Sequence, residues 1–141
     1  DFAWHVIGDG PERSKLETLI AENDLKDHVI LDGSKTNPYP YMKYADLFVH
    51  PSYVESQGLT VLEAMALGVP CVVTKSRGPC EFIEDGVNGL LTEQSPESLT
   101  EKVLSILTDK TLFQSIKENT VCPEQFAPDR VMKQIEELID G

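Results

Sequence analysis

The chain has 141 residues, 40% hydrophobic and 26% charged, which is one domain's worth of an ordinary globular composition. Its 12 Lys and Arg stand against 24 Asp and Glu, a net charge of −12, and no basic run appears, which argues against a nucleic-acid surface and against electrostatic contact with anionic lipid. No stretch approaches the ~20 apolar residues of a membrane span, no signal peptide is read, and an anionic ligand needs locally placed donors because the overall field repels it.

Residues 2–7 read as a strand closed by Gly8-Asp9-Gly10-Pro11, with Pro11 placed for a helix start. Leu16, Leu19, Ile20 and Leu25 give a helical stripe over residues 12–23. Residues 28–32 form a second strand ended by Gly33, and 34–40 a turn-rich loop. A short helix at 41–44 leads to a strand at 47–50. A helix at 59–67 is stopped by Gly68 and followed by a strand at 71–74. A short helix at 79–85, a strand at 89–92, and helices at 97–107, 109–118 and 128–139 complete the chain. This alternation predicts an α/β, doubly wound, Rossmann-like parallel sheet covered on both faces, with the turns at Gly8, Gly33, Pro51 and Thr74 on the ligand-carrying edge.

The most informative segment is Glu55-Ser56-Gln57-Gly58-Leu59-Thr60-Val61-Leu62-Glu63. Glu55 follows an apolar strand, and Glu63 sits in an otherwise apolar helix, where a carboxylate is costly unless paired. The N–H groups of Gly58, Leu59 and Thr60 open that helix and can cradle a diphosphate. Glu63 has two readings: the second half of a capping box with Thr60, or an acceptor for both hydroxyls of a ribose. Glu55 reads either as a ligand contact or as a solvated loop carboxylate. Lys75 and Arg77 follow a buried strand and either neutralise phosphate or decorate an exposed loop. Glu81 and Glu84 read as a solvated helix face. His50 reads as a partly buried structural histidine, since no Cys, Asp or second His stands at a ligand or triad spacing. Gly8-Asp9-Gly10 reads as a tight turn. Cys71, Cys80 and Cys122 are an odd set without metal-ligand spacing, which suggests a reducing, cytoplasmic compartment, with Cys71 a core residue. No feature requires a metal.

Together these segments resemble the C-terminal, donor-binding domain of retaining glycosyltransferases of the GT-B fold, the group 1 or family 4 type, marked by two glutamates eight positions apart. The resemblance runs through Val6-Ile7-Gly8-Asp9-Gly10-Pro11-Glu12-Arg13, Ala45 to Ser52, the Glu55 and Glu63 pair, Glu63 to Pro70, and Gly78, Glu81 and Asp85 to Leu91. It implies a nucleoside diphosphate sugar as donor substrate and no separate cofactor. Glu63 then holds the ribose, Glu55 contacts the sugar or lies near the reacting carbon, Gly58, Leu59 and Thr60 face the diphosphate and the sugar, and Gly33 and Ser34 lie near the base. It further implies transfer of a hexose with retention of configuration and a role in cell-surface polysaccharide synthesis.

Residues 1–141 are thus expected to be a partial C-terminal domain. The N-terminal acceptor domain would be missing, and so would the first strand and helix, which usually carry an Arg and a Lys that grip the diphosphate. The chain opens without Met almost inside a strand, as a fragment would; such a fragment is expected to be inactive alone and marginally stable. The turn Ser56-Gln57-Gly58 departs from the usual Gly-aromatic-Gly form and touches the sugar contacts most. Rival readings are a sugar-nucleotide epimerase on a related fold and a non-catalytic nucleotide-binding or interaction module.

Overall fold

The computed structural model describes residues 2–126; the helix expected at 128–139 lies outside them. The chain divides at Pro40 and Tyr41 into two compact units.

In the first unit, β1 (Trp4–Ile7) pairs in parallel with β2 (Val29–Gly33), and α1 (Arg13–Glu22) connects them. The turns that follow the strands are tied, the Gly8 N–H donating to the Gly33 carbonyl at 3.0 Å. Arg13 braces the unit by donating to the Leu31 carbonyl and pairing with Glu17. No residue of 2–40 is fully buried, and Trp4, Leu16 and Leu19 remain 39–45% exposed. α2 (Tyr39–Lys43) spans the boundary between the units.

The second unit holds the core. Its sheet runs β3 (Phe48–His50), β4 (Cys71–Thr74), β5 (Leu90–Thr92), all parallel, with β4 central and every residue of β4 buried. Side chains alternate along a strand, so β4 serves two cores. Cys71 and Val73 pack with Val61, Leu62, Ala64 and Met65 of α3 (Leu59–Ala66) and with Phe82 and Ile83. Val72 packs on the other face with Leu90, Ile106 of α4 (Pro96–Thr108) and Ile116 of α5 (Lys110–Asn119). Each fully buried side chain of this kind stabilises by about 1.5–3 kcal/mol. The covering of both faces is the doubly wound arrangement expected from the alternating elements.

Local sequence sets the helix limits. α4 begins where Ser95 Oγ accepts from the Ser98 N–H with Pro96 at the first position, and α5 where Asp109 accepts from Thr111 and Leu112. α3 ends at Gly68, whose φ of +72° lets its N–H and that of Val69 return to the Met65 and Ala64 carbonyls.

The strands form two parallel ladders, β1-β2 and β3-β4-β5. One expectation changes. The helix expected over 79–85 is only a single 3-10 turn, Pro79–Glu81. Phe82 and Ile83 are drawn into the core, and the Asn88 side chain takes the Phe82 carbonyl and the Glu84 N–H, which diverts the backbone groups a longer helix needs. No helix among the described residues is long and apolar enough to cross a membrane.

Candidate functional site

Because β3, β4 and β5 are parallel, the segments leaving their C-terminal ends share one edge of that sheet. Hydrogen bonds join those segments. Gln94 Nε2 donates to the carbonyls of Tyr53 and Lys75 at 2.8 and 2.9 Å, and the Gly78 N–H donates to the Glu55 carbonyl at 3.2 Å. The Thr74 hydroxyl lies within hydrogen-bonding distance of the His50 and Ser52 carbonyls. The loop that carries Glu55 is therefore held from three directions.

Glu55 is turned onto its own loop. Its Oε1 accepts from the N–H groups of Gln57 and Gly58 at 3.1 and 2.9 Å, and its Oε2 lies 3.5 Å from His50 Nε2. The Gly58 and Gln57 amides hold the carboxyl below the usual glutamate range, His50 adds to the effect, and partial burial opposes it. His50, expected to be merely structural, therefore stands beside the candidate catalytic carboxylate. The five-residue separation across an irregular loop carries no periodic signal that predicts this contact.

Gly58 caps α3 with φ +72°, a left-handed turn that only glycine adopts cheaply, and no side chain caps the helix. The capping box read for Thr60 and Glu63 does not form, because Gly58 occupies the cap and places Thr60 inside the helix. The Gly58 N–H is taken by Glu55, so Gly58 contributes its conformation to the site rather than a free donor. The N–H groups of Leu59 and Thr60 have no acceptor among the described residues, and both residues are exposed. Glu63 lies farther along α3 and is half-buried.

Lys75 pairs through Nζ with Glu93, and that partner raises its pKa. Arg77 is 88% exposed, with its Nε 3.9 Å from Glu81. Glu81 and Glu84 are exposed, as expected. Cys71 is buried, which pushes its thiol up to about 12 and leaves it an inert core residue. Gly33 and Ser34 belong to the first unit, where Gly33 ends β2 with φ +72° and Ser34 is exposed. An apolar cleft of about 350 Å³ in the same unit is lined by residues including Gly8, Gly10, Arg13 and Leu31, and by none of the Glu55 loop. Among the described residues no group of three or more His, Cys, Asp or Glu side chains is arranged to hold a metal.

Comparison with known proteins agrees with this strand, turn and helix arrangement. The family described as "Glycosyl transferases group 1" matches residues 1–121. An uncharacterised glycosyltransferase of Methanocaldococcus jannaschii is 34% identical over 122 residues, covering 84% of this chain and 34% of that protein. The lipopolysaccharide core biosynthesis glycosyltransferase LpsE of Rhizobium meliloti is 32% identical over 118 residues, covering 83% of this chain and 34% of LpsE. Anabaena HepE, solved in complex with UDP, is similar in structure with a TM-score of 0.87 at 27% identity, over 99% of this chain and 41% of HepE. The chain spans about a third of the length of these curated relatives. Its Rossmann-like α/β fold is of the GT-B kind. By sequence and by fold, the chain belongs to the glycosyl transferases group 1 family.

Proposed function

We propose that this chain is the donor-binding part of a glycosyltransferase that moves a hexose from a nucleoside diphosphate sugar to an acceptor with retention of configuration. The observation that carries the reading is the start of α3, where the Leu59 and Thr60 amides lack acceptors while Glu55 is fixed beside them. A helix N-terminus with free amides favours an anion, and here the anion is the diphosphate. Departure of a nucleoside diphosphate concentrates negative charge, which donors of this kind stabilise without a strong base.

In this reading Leu59 and Thr60 face the diphosphate, and Gly58 sets the turn that aims them. Glu63 receives the ribose hydroxyls, Glu55 stands at the sugar, and Lys75 and Arg77 supply positive charge. The acceptor side comes from an N-terminal domain of the same protein. UDP bound to the similar HepE supports a uridine nucleotide, and the likeness to LpsE supports cell-surface polysaccharide synthesis. No separate cofactor or metal enters this scheme.

The test is calorimetric titration of the full-length protein with UDP and a panel of UDP-hexoses, followed by NMR assignment of the anomeric centre in the product. Binding of UDP and a product with the donor's configuration are the expected results. Binding without turnover on any acceptor favours a nucleotide-binding module, and interconversion of the sugar without transfer favours an epimerase.

A further inference from the structure

His50 Nε2 is buried and has no hydrogen-bond partner among the described residues, and the carboxylate oxygen Glu55 Oε2 lies 3.5 Å away. A buried polar nitrogen left unsatisfied is costly, and proteins rarely keep one without a use. The ring itself is well anchored. The His50 side chain is only 18% exposed, it stacks against Phe48 with 6.2 Å between ring centroids, and its carbonyl faces the Thr74 hydroxyl. Strand β3 therefore presents a fixed ring, and the loop presents the carboxylate.

The two oxygens of Glu55 are held differently. Oε1 is held by two main-chain amides of its own loop. Oε2 faces a single side-chain nitrogen at a distance just too long for a good N–H···O bond. A shift of about half an ångström closes it, and site hydrogen bonds commonly tighten when substrate arrives. A carboxylate pinned at one oxygen alone still rotates about its terminal bond; a second contact fixes its plane.

We infer that His50 is a positioning residue, whose ring N–H fixes the plane of the Glu55 carboxylate toward the sugar of the bound donor. The inference rests on the glycosyltransferase reading for the identity of the sugar, but the contact between the two side chains stands apart from it. His50 touches neither nucleotide nor diphosphate in this arrangement, so its loss acts on turnover and not on nucleotide affinity. Glutamine places an amide nitrogen near the position of Nε2 and restores the contact, whereas phenylalanine keeps the ring and removes the donor.

The experiment compares His50→Phe with His50→Gln in the full-length protein. The expected result is a fall in kcat of about ten- to a hundredfold for His50→Phe, the size of a misplaced reacting group, with UDP affinity within about twofold of wild type. His50→Gln recovers most of the turnover. A second readout needs no substrate: the Gln57 and Gly58 amide resonances report the Glu55 carboxylate, and they move in His50→Phe but stay near wild-type positions in His50→Gln. Unmoved amides in His50→Phe overturn the inference, as does equal loss of kcat in both variants. If the wild-type protein binds no UDP and turns over no sugar nucleotide, the glycosyltransferase reading fails instead, and the amide shifts alone decide whether His50 positions Glu55.

Discussion

Gly78 lies against the main chain of Gln57 so closely that a Cβ on it would fall 2.6–2.8 Å from the Gln57 N, Cα and C atoms. Its backbone is ordinary, with φ −60°, so the requirement is space and not conformation. The approach lets the Gly78 N–H reach the Glu55 carbonyl and sets the height of the loop over the sheet edge. Gly78→Ala is expected to destabilise by about 1–3 kcal/mol, the range for forcing atoms into a packed place, and to weaken UDP binding. Gly68→Ala is the control. It meets nothing within 4 Å, so only its φ of +72° is strained, at about 1–2 kcal/mol, and UDP affinity stays unchanged. Denaturation curves and UDP titrations of the two variants check this, and equal affinities in both count against the loop being the site.

Glu55 makes a pH dependence. Its folded pKa is depressed by the Gly58 and Gln57 amides and by His50. A depressed carboxylate stabilises fully above the unfolded value of about 4.3 and loses that contribution as pH falls through the folded value. Glu55→Gln keeps an oxygen for the amides but not the charge, so it is expected to cost about 1 kcal/mol at neutral pH. The gap between wild type and variant narrows on acidification below the usual glutamate range. Urea unfolding at neutral pH and near pH 3 measures it; a gap that widens in acid contradicts the assignment.

Much of this was legible in the residues because local and tertiary signals agree. Cys71 to Thr74 is buried at every position and reads as a strand from composition alone, and Ser95-Pro96 and Asp109 mark helix starts with their own side chains. The misreadings share a cause. The Thr60 and Glu63 box fails because Gly58 turns left-handed, a backbone choice that the spacing of Thr and Glu does not encode. The helix at 79–85 stops early because Asn88, beyond its far end, claims its backbone groups. The contact of His50 with Glu55 spans an irregular loop, where no period relates sequence to direction.

Hydrogen exchange should separate the elements. Amides of Val72 and Val73 are covered on both faces and in a central strand, whereas the first unit has no fully buried residue and pairs only two strands. Amides of β4 are expected to exchange slowest and those of β1 and β2 much faster, since local opening follows buried apolar contact. Protection of β1 equal to that of β4 contradicts this ordering.

Lys75 and Arg77 should differ as phosphate contacts. Lys75 is engaged by Glu93, whereas Arg77 is largely exposed and only loosely near Glu81. An ion pair this exposed is screened by solvent and adds little, so Lys75 gives up Glu93 for phosphate at small cost. Glu93→Gln is then expected to tighten UDP binding severalfold by freeing Lys75, and Lys75→Met to cancel that gain. Arg77→Ala weakens binding directly. Titrations at low and moderate salt check the electrostatic origin, because the differences shrink as salt rises. A Glu93→Gln variant with wild-type affinity removes Lys75 from the diphosphate site.

Glu63 offers the sharpest separation of nucleotide from sugar. Gly58 caps α3 without any side chain, so Glu63 carries no capping duty and its removal does not release the helix start. Glu63→Ala is therefore expected to leave the start of α3 intact, and alanine suits the helix interior. If Glu63 receives the ribose as proposed, its effect falls on the nucleotide, because two ribose hydroxyls lose a charged acceptor worth about 1.5–3 kcal/mol, roughly ten- to a hundredfold in Kd for UDP. Glu63→Gln keeps an oxygen and recovers part of that affinity. The ribose supplies a second axis to the test: wild type binds 2′,3′-dideoxy-UDP as weakly as Glu63→Ala binds UDP, and Glu63→Ala does not distinguish the two nucleotides. Calorimetric titration of both nucleotides into both proteins completes the cycle. If Glu63→Ala discriminates between them as wild type does, Glu63 is not the ribose acceptor.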